Sequence, residues 1–210
     1  IITLSLIFIS VSLSFGQNTY KTADKFFEKM QYIDAAKAYE AKIKKGDYSR
    51  ELLQKAGDSY YFNTDMKGAN KWYDILISDY LNEIDAEYIF RFAHTLQGIG
   101  DNKSATKWMK IFAKRAKQSD IRIVEYAQSK TTLNDILNIQ PQFTLQNLST
   151  NTKYSDFGPM YYNNRLVYSS AIDSSYYHTR VYNWNNQPFL NFYTGRINAT
   201  ETDVEFIEEF

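Results

Sequence analysis

Gly57-Asp58-Ser59-Tyr60-Tyr61-Phe62-Asn63-Thr64-Asp65-Met66-Lys67-Gly68-Ala69-Asn70-Lys71-Trp72-Tyr73-Asp74-Ile75-Leu76-Ile77-Ser78-Asp79-Tyr80 decides how the first half of the chain is read. After Ala69 the apolar residues Trp72, Tyr73, Leu76, Ile77 and Tyr80 fall at +3, +4, +7, +8 and +11, one face of a helix. Gly57 stands 12 residues before Ala69, across a turn at Thr64-Asp65. Small residues let two antiparallel helices approach closely, so Gly57 and Ala69 are expected to mark the crossing of a helical hairpin.

The same arrangement recurs on both sides. Ala23 precedes Ala35 by 12 residues, and Ala93 precedes Ala105 by 12. Successive alanines are 34 and then 36 residues apart. After Ala105, Trp108, Met109, Phe112, Ala113 and Ala116 repeat the helical stripe; Ala38, Tyr39 and Ile43 keep it in the first unit, where Lys42 interrupts it. Turns are expected at Gln31-Tyr32 and at Gly100-Asp101-Asn102, where glycine can end a helix. A further helix is expected from Ser119 to Leu137, with Ala127 34 residues after Ala93. Pro141 follows it, so it stands alone and would cap the last hairpin.

A period of 34 with this pattern resembles the tetratricopeptide repeat. The matching residues are Ala23, Phe26, Tyr32, Ala35 and Tyr39; Gly57, Tyr60, Ala69 and Tyr73; then Ala93, Leu96, Gly100 and Ala105. The proline common at the ends of that family's repeats is absent from all three units. The resemblance implies a protein-binding groove lined by the first helix of each pair. Its positions here are Tyr20, Asp24 and Phe27; Gln54, Asp58, Tyr61 and Phe62; and Phe90, His94 and Gln97. Aromatic faces beside polar tips suit recognition. The competing reading packs these aromatics between neighbouring hairpins and leaves the polar groups solvated.

Ahead of the repeats, Ile1 to Phe15 is apolar, dotted with Ser and Thr, and carries no charge. Ser14 and Gly16 put small residues where a signal peptidase reads them, and Gln17 follows. The run is shorter than the roughly 18 apolar residues of a membrane span. Residues 1–16 are therefore expected to be a signal peptide, and the whole is expected to be the front of a longer exported chain.

Beyond Pro141 the helical period stops and Asn, Ser, Thr and Tyr become frequent. Phe143, Leu145 and Leu148 suggest a short strand. Asn163-Asn164 between Met160-Tyr161-Tyr162 and Leu166-Val167-Tyr168 is a hairpin signal. Further strands are expected at Phe189 to Tyr193, closed by Gly195, and from Val204. Asn147–Ser170 and Tyr182–Ile197 resemble the first blade in exported proteins of Bacteroidota that join tetratricopeptide repeats, a WD-like β-propeller and a C-terminal OmpA-like domain. Ser155-Asp156-Phe157-Gly158-Pro159, Leu166-Val167-Tyr168-Ser169-Ser170 and Trp184-Asn185-Asn186-Gln187-Pro188-Phe189-Leu190 carry that resemblance. Some of those relatives serve type IX secretion and gliding. The expected architecture is α + β in separate domains: a signal peptide at 1–16, an α-α solenoid of about three hairpins plus a capping helix at 17–140, and the start of an antiparallel β-propeller at 141–210.

Chemistry is excluded more than indicated. The chain has 24 basic and 24 acidic residues and a net charge of zero, which argues against nucleic-acid binding. It has no cysteine, which removes disulfides, thiolate metal sites and thiol nucleophiles. His94 and His178 stand apart from any metal-ligand spacing. Gly98-Ile99-Gly100 reads as the end of a helix rather than a phosphate loop. Glu205, Glu208 and Glu209 read as a solvated strand or turn. No cofactor or metal is expected. The expected function is a non-enzymatic scaffold of the periplasm and outer membrane that binds protein partners. The resemblance implies that peptidoglycan is reached only through an OmpA-like domain that these residues lack. The alternatives are an enzyme with its site on propeller loops past Phe210, and a carbohydrate-binding module stacking sugars on Trp184.

Overall fold

The computed structural model describes residues 20–128, 135, 138–140, 142–172 and 180–210. The expected signal peptide lies outside them. So do His178 and the part of the expected last helix from 129 to 137, Asp135 apart. Among the described residues helices come first and an antiparallel sheet follows. The chain divides into two compact units with the boundary between Val124 and Glu125.

The helices are α1 Lys21–Glu28, α2 Tyr32–Ile43, α3 Arg50–Phe62, α4 Met66–Tyr80, α5 Ala86–Gly98, α6 Asn102–Arg115 and α7 Ile121–Gln128. Three turns inside this series share one closure. Met30, Thr64 and Gly100 take positive φ of 58°, 61° and 86°. In each, the amide of the next residue reaches back five positions: Gln31 to Phe26, Asp65 to Tyr60, Asp101 to Leu96, at 2.9–3.0 Å. This closure satisfies carbonyls that the helix end leaves without partners. Glycine supplies the conformation at one turn only; Met30 and Thr64 adopt it against their side-chain preference. The carboxylates of Asp65 and Asp101 then cap α4 and α6 by accepting the amides of Gly68 and Ser104.

Each turn folds its helices back on one another. Tyr60 of α3 lies against Gly68 of α4, and Gly57, farther from the turn, lies against Tyr73. Phe92 of α5 meets Trp108 of α6 at 5.3 Å between ring centroids, and Phe90 meets Phe112 at 5.3 Å. Both series recede from their turns together, which makes the pairs antiparallel. Ala69, Ala93 and Ala105 are buried as expected. What fills the space beside Gly57 differs from the expectation. A Cβ there would collide with the Tyr73 ring, so the glycine accommodates an aromatic ring across the crossing rather than a second small side chain.

The hairpins stack with a nearly constant offset. Tyr80 donates to the carbonyl of Tyr48, 32 residues earlier, and Arg115 to that of Leu81, 34 earlier. Glu40 of α2 accepts from Trp72 Nε1 of α4 at 3.1 Å and from Tyr60 of α3 at 3.0 Å. One apolar core threads the stack, with Tyr39, Leu52, Leu53, Tyr73, Leu76, Ile89 and Phe112 at its most buried points. Burying each such side chain stabilises by roughly 1.5–3 kcal/mol. α7 covers the last hairpin in part: Ile123 packs on the core, while Ile121, Val124 and Tyr126 stay exposed.

The second unit holds a four-stranded antiparallel sheet in the order β1-β2-β5-β6, built from Asp156–Tyr162, Arg165–Ser170, Asn191–Ile197 and Val204–Glu209. The short strands β3 Val181–Tyr182 and β4 Gln187–Pro188 pair separately. The hairpin at Asn163-Asn164 forms as expected, with φ of 47° and 61°. Two details depart from the sequence reading. Residues 142–148 form no strand; Phe143 and Leu145 are exposed, and side-chain bonds such as Ser149 Oγ to the Val204 carbonyl replace a ladder. Gly195 does not close β5 but lies buried within it, where a Cβ would strike Val204. Tyr168 and Tyr193 stack across β2 and β5 beneath the sheet at 6.0 Å. Burial alone would raise the Asp156 pKa, but bonds from Ser170 and Thr152 outweigh it and hold the carboxyl below its usual range.

Candidate functional site: the trough of the helical unit

The first helices of the three pairs, α1, α3 and α5, stand side by side in parallel. Their contacts link residues about one repeat apart. Asp24 accepts from Lys55, 31 residues on; Tyr61 bonds to His94, 33 on; Asp58 accepts from Arg91, 33 on. The shared offset follows from hairpins of nearly equal length stacked in one direction.

A chain of rings crosses this face. Phe27 meets Phe62 at 6.1 Å, Phe62 meets Tyr61 at 5.7 Å, and Tyr61 meets His94 at 5.6 Å. His94 lies 6.1 Å from Phe90, which continues to Phe112. The geometries are edge-on or tilted, as ring quadrupoles favour. Of the expected groove residues, this chain unites Phe27, Phe62, Tyr61, His94 and Phe90. Phe62 and His94 are exposed, while Phe27, Tyr61 and Phe90 are half-buried. Gln97 stands exposed at the end of α5.

The acids of these first helices, Asp24 and Asp58, are tied more firmly. Asp58 is buried and accepts from Tyr73 at 2.5 Å, Arg91 at 2.6 Å and Tyr88 at 3.2 Å. Arg91 bridges onward to Glu87 and lies 5.0 Å from the Phe62 ring centre and 5.6 Å from that of Tyr61. Burial would lower the Arg91 pKa, but Asp58 more than offsets it and keeps the guanidinium charged. Asp24 accepts from Tyr39 at 2.7 Å and Lys55 at 2.8 Å. Tyr20 is half-buried and tethered: its hydroxyl donates to Asp47 at 2.5 Å, in the connection between α2 and α3. Gln54 lines a cleft of about 400 Å³ with Asp24, Phe27 and Asp58.

Comparison with protein-family models and with curated proteins returned no match. The chemistry of the trough therefore rests on its own geometry. Burial raises the Tyr61 pKa, so beside His94 the phenol is a neutral hydrogen-bonding group and not an activated nucleophile. Among the described residues no helix is long and apolar enough to cross a membrane.

Lys55, Tyr88, Arg91 and Arg122 organise the trough but were not singled out from sequence. A signal for three of them was present. Asp24/Lys55, Asp58/Arg91 and Glu87/Arg122 are opposite charges separated by 31, 33 and 35 residues, close to one repeat. Stacking in one direction turns that separation into contact.

Proposed function

We propose that the protein is a non-enzymatic interaction scaffold of the cell envelope, whose stacked hairpins hold an extended segment of a protein partner. In this reading the helical unit is a tetratricopeptide-type array, and the four-stranded sheet is the opening blade of a β-propeller. The observation that carries the proposal is the continuous face of α1, α3 and α5. Its ring chain leaves Phe62 and His94 exposed between firmly anchored neighbours. Anchoring lowers the entropy lost when a partner docks. The apolar, uncharged opening from Ile1 to Phe15 supports export, which would place the trough in the periplasm.

Photo-crosslinking tests the docking reading directly. A photoreactive residue at Phe62 or Gln97 should capture one discrete envelope protein in the producing cell, and one at exposed Lys71 on α4 should not. Equal labelling from both faces, or none from either, would overturn the proposal. A rival reading has one observation in its favour. Phe157, Tyr182, Pro188, Phe189 and Leu190 surround an apolar cavity of about 430 Å³ in the second unit. Glycan binding that disappears in Tyr182→Ala would favour a carbohydrate-binding role for that unit.

A further inference from the structure

Resting on the docking reading above, the charges of the 400 Å³ cleft between α1, α3 and α5 name the kind of segment it takes. We propose that this cleft receives a lysine or arginine side chain from a basic, extended protein segment, in competition with the protein's own Lys55.

The cleft carries Asp24, Glu28, Glu51 and Asp58 on its walls, with Lys55 as the cation among them. Asp58 is already matched by Arg91. That leaves Asp24, Glu28 and Glu51 in the lining against Lys55 alone, an excess of two negative charges. Glu28 is exposed and makes no ion pair among the described residues. Glu51 keeps 63% of its side chain exposed even while paired with Lys55. Both remain open to an incoming cation.

Lys55 shows which chemistry fits. Its Nζ donates to Asp24 at 2.8 Å and to Glu51 at 2.9 Å, and it lies 5.5 Å from the centre of the Tyr20 ring. Two carboxylates and an aromatic face are what an ammonium or guanidinium seeks. Burial would depress the Lys55 pKa, yet its two carboxylate partners hold it above the usual lysine value. Phe27 and Tyr88 supply half-buried walls against which the methylene stem of a long cation can lie. An acidic segment would meet repulsion here, and a neutral one would leave the carboxylates without a new partner. The resident lysine is 30% exposed, so a partner cation can displace it into water.

The test titrates the full chain, by fluorescence anisotropy, with three labelled Gly-Ser peptides carrying four lysines, four glutamines or four glutamates. The lysine peptide should bind best, and its affinity should fall as salt rises from about 50 to about 500 mM. Glu28→Gln and Glu51→Gln should each weaken it about threefold, the scale of one exposed ion pair. Lys55→Met should strengthen it about threefold by freeing two carboxylates. Circular dichroism melts of each variant separate these effects from unfolding. A Lys55→Met chain that melts normally but binds the lysine peptide no better overturns the proposal. So does binding that ignores both glutamate changes. If the glutamine or glutamate peptide binds best and Phe62→Ala abolishes it, the docking reading stands and the basic segment falls. If no peptide binds, both fall.

Discussion

Thr64 holds a conformation that its side chain resists. Its φ of 61° lies in the left-handed region, where a β-branched residue is strained by roughly 1–2 kcal/mol. The strain persists because the Asp65 amide must reach the Tyr60 carbonyl for α4 to fold back on α3. Gly100 makes the equivalent turn without that cost. Thr64→Gly should therefore raise the stability of the helical unit by about 1 kcal/mol, read as a higher urea midpoint with an unchanged slope. No gain would mean that the turn does not depend on the left-handed conformation. Gly100 was legible in the sequence as a helix end. Thr64 was legible as part of a turn, but its positive φ, like that of Met30, was not, because nothing in methionine or threonine advertises that conformation; only the common turn geometry reveals it.

At the scale of elements, the hairpins were legible because burial imposes a 3.6-residue stripe that tertiary structure did not override. What the stripe could not show was the partner of each small residue. Gly57 faces the Tyr73 ring, which is fully buried and whose hydroxyl is bound to Asp58. The ring cannot swing away from an added methyl group. Gly57→Ala should thus destabilise the unit by about 1–3 kcal/mol, although alanine is the better helix former by about 1 kcal/mol. A stabilised Gly57→Ala chain would contradict the contact. In the sheet, the Asn163-Asn164 turn was readable because asparagine tolerates left-handed angles. The missing strand at 142–148 was not, since Phe143, Leu145 and Leu148 look like strand residues until side-chain bonds take the place of the ladder. That Phe27, Tyr61, Phe62 and Phe90 lie on the first helix of each pair was legible from the helical spacing. The structural duties of Tyr20 and Asp58 were not, because each depends on a partner in another helix.

Across the helical unit as a whole, tyrosine hydroxyls donate to carboxylates on neighbouring helices. Burial first, and then the carboxylates of Asp24, Glu40 and Asp58, push the pKa values of Tyr39, Tyr60, Tyr73 and Tyr88 up; Tyr60 reaches about 12 from an ordinary 10.0. A folded pKa above the unfolded one means that the native state keeps protons the unfolded chain releases. This stabilisation is intact below pH 10 and drains away as pH climbs from 10 through about 12. Thermal melts followed at 222 nm should show the helical unit steady at neutral pH and weakening steeply above pH 10. A flat alkaline limb would mean that these phenols ionise freely.

The central claim is that first helices one repeat apart stand against each other and build the trough, with Asp58 and Arg91 as its keystone. A double-mutant cycle on Asp58→Ala and Arg91→Ala, read by urea unfolding, tests this most directly. The account predicts that the two losses fall short of additivity by more than about 1 kcal/mol, because a mostly buried ion pair is broken by either change. Losses that add to within about 0.5 kcal/mol would show that α3 and α5 do not meet there, and would contradict the stack on which the trough depends.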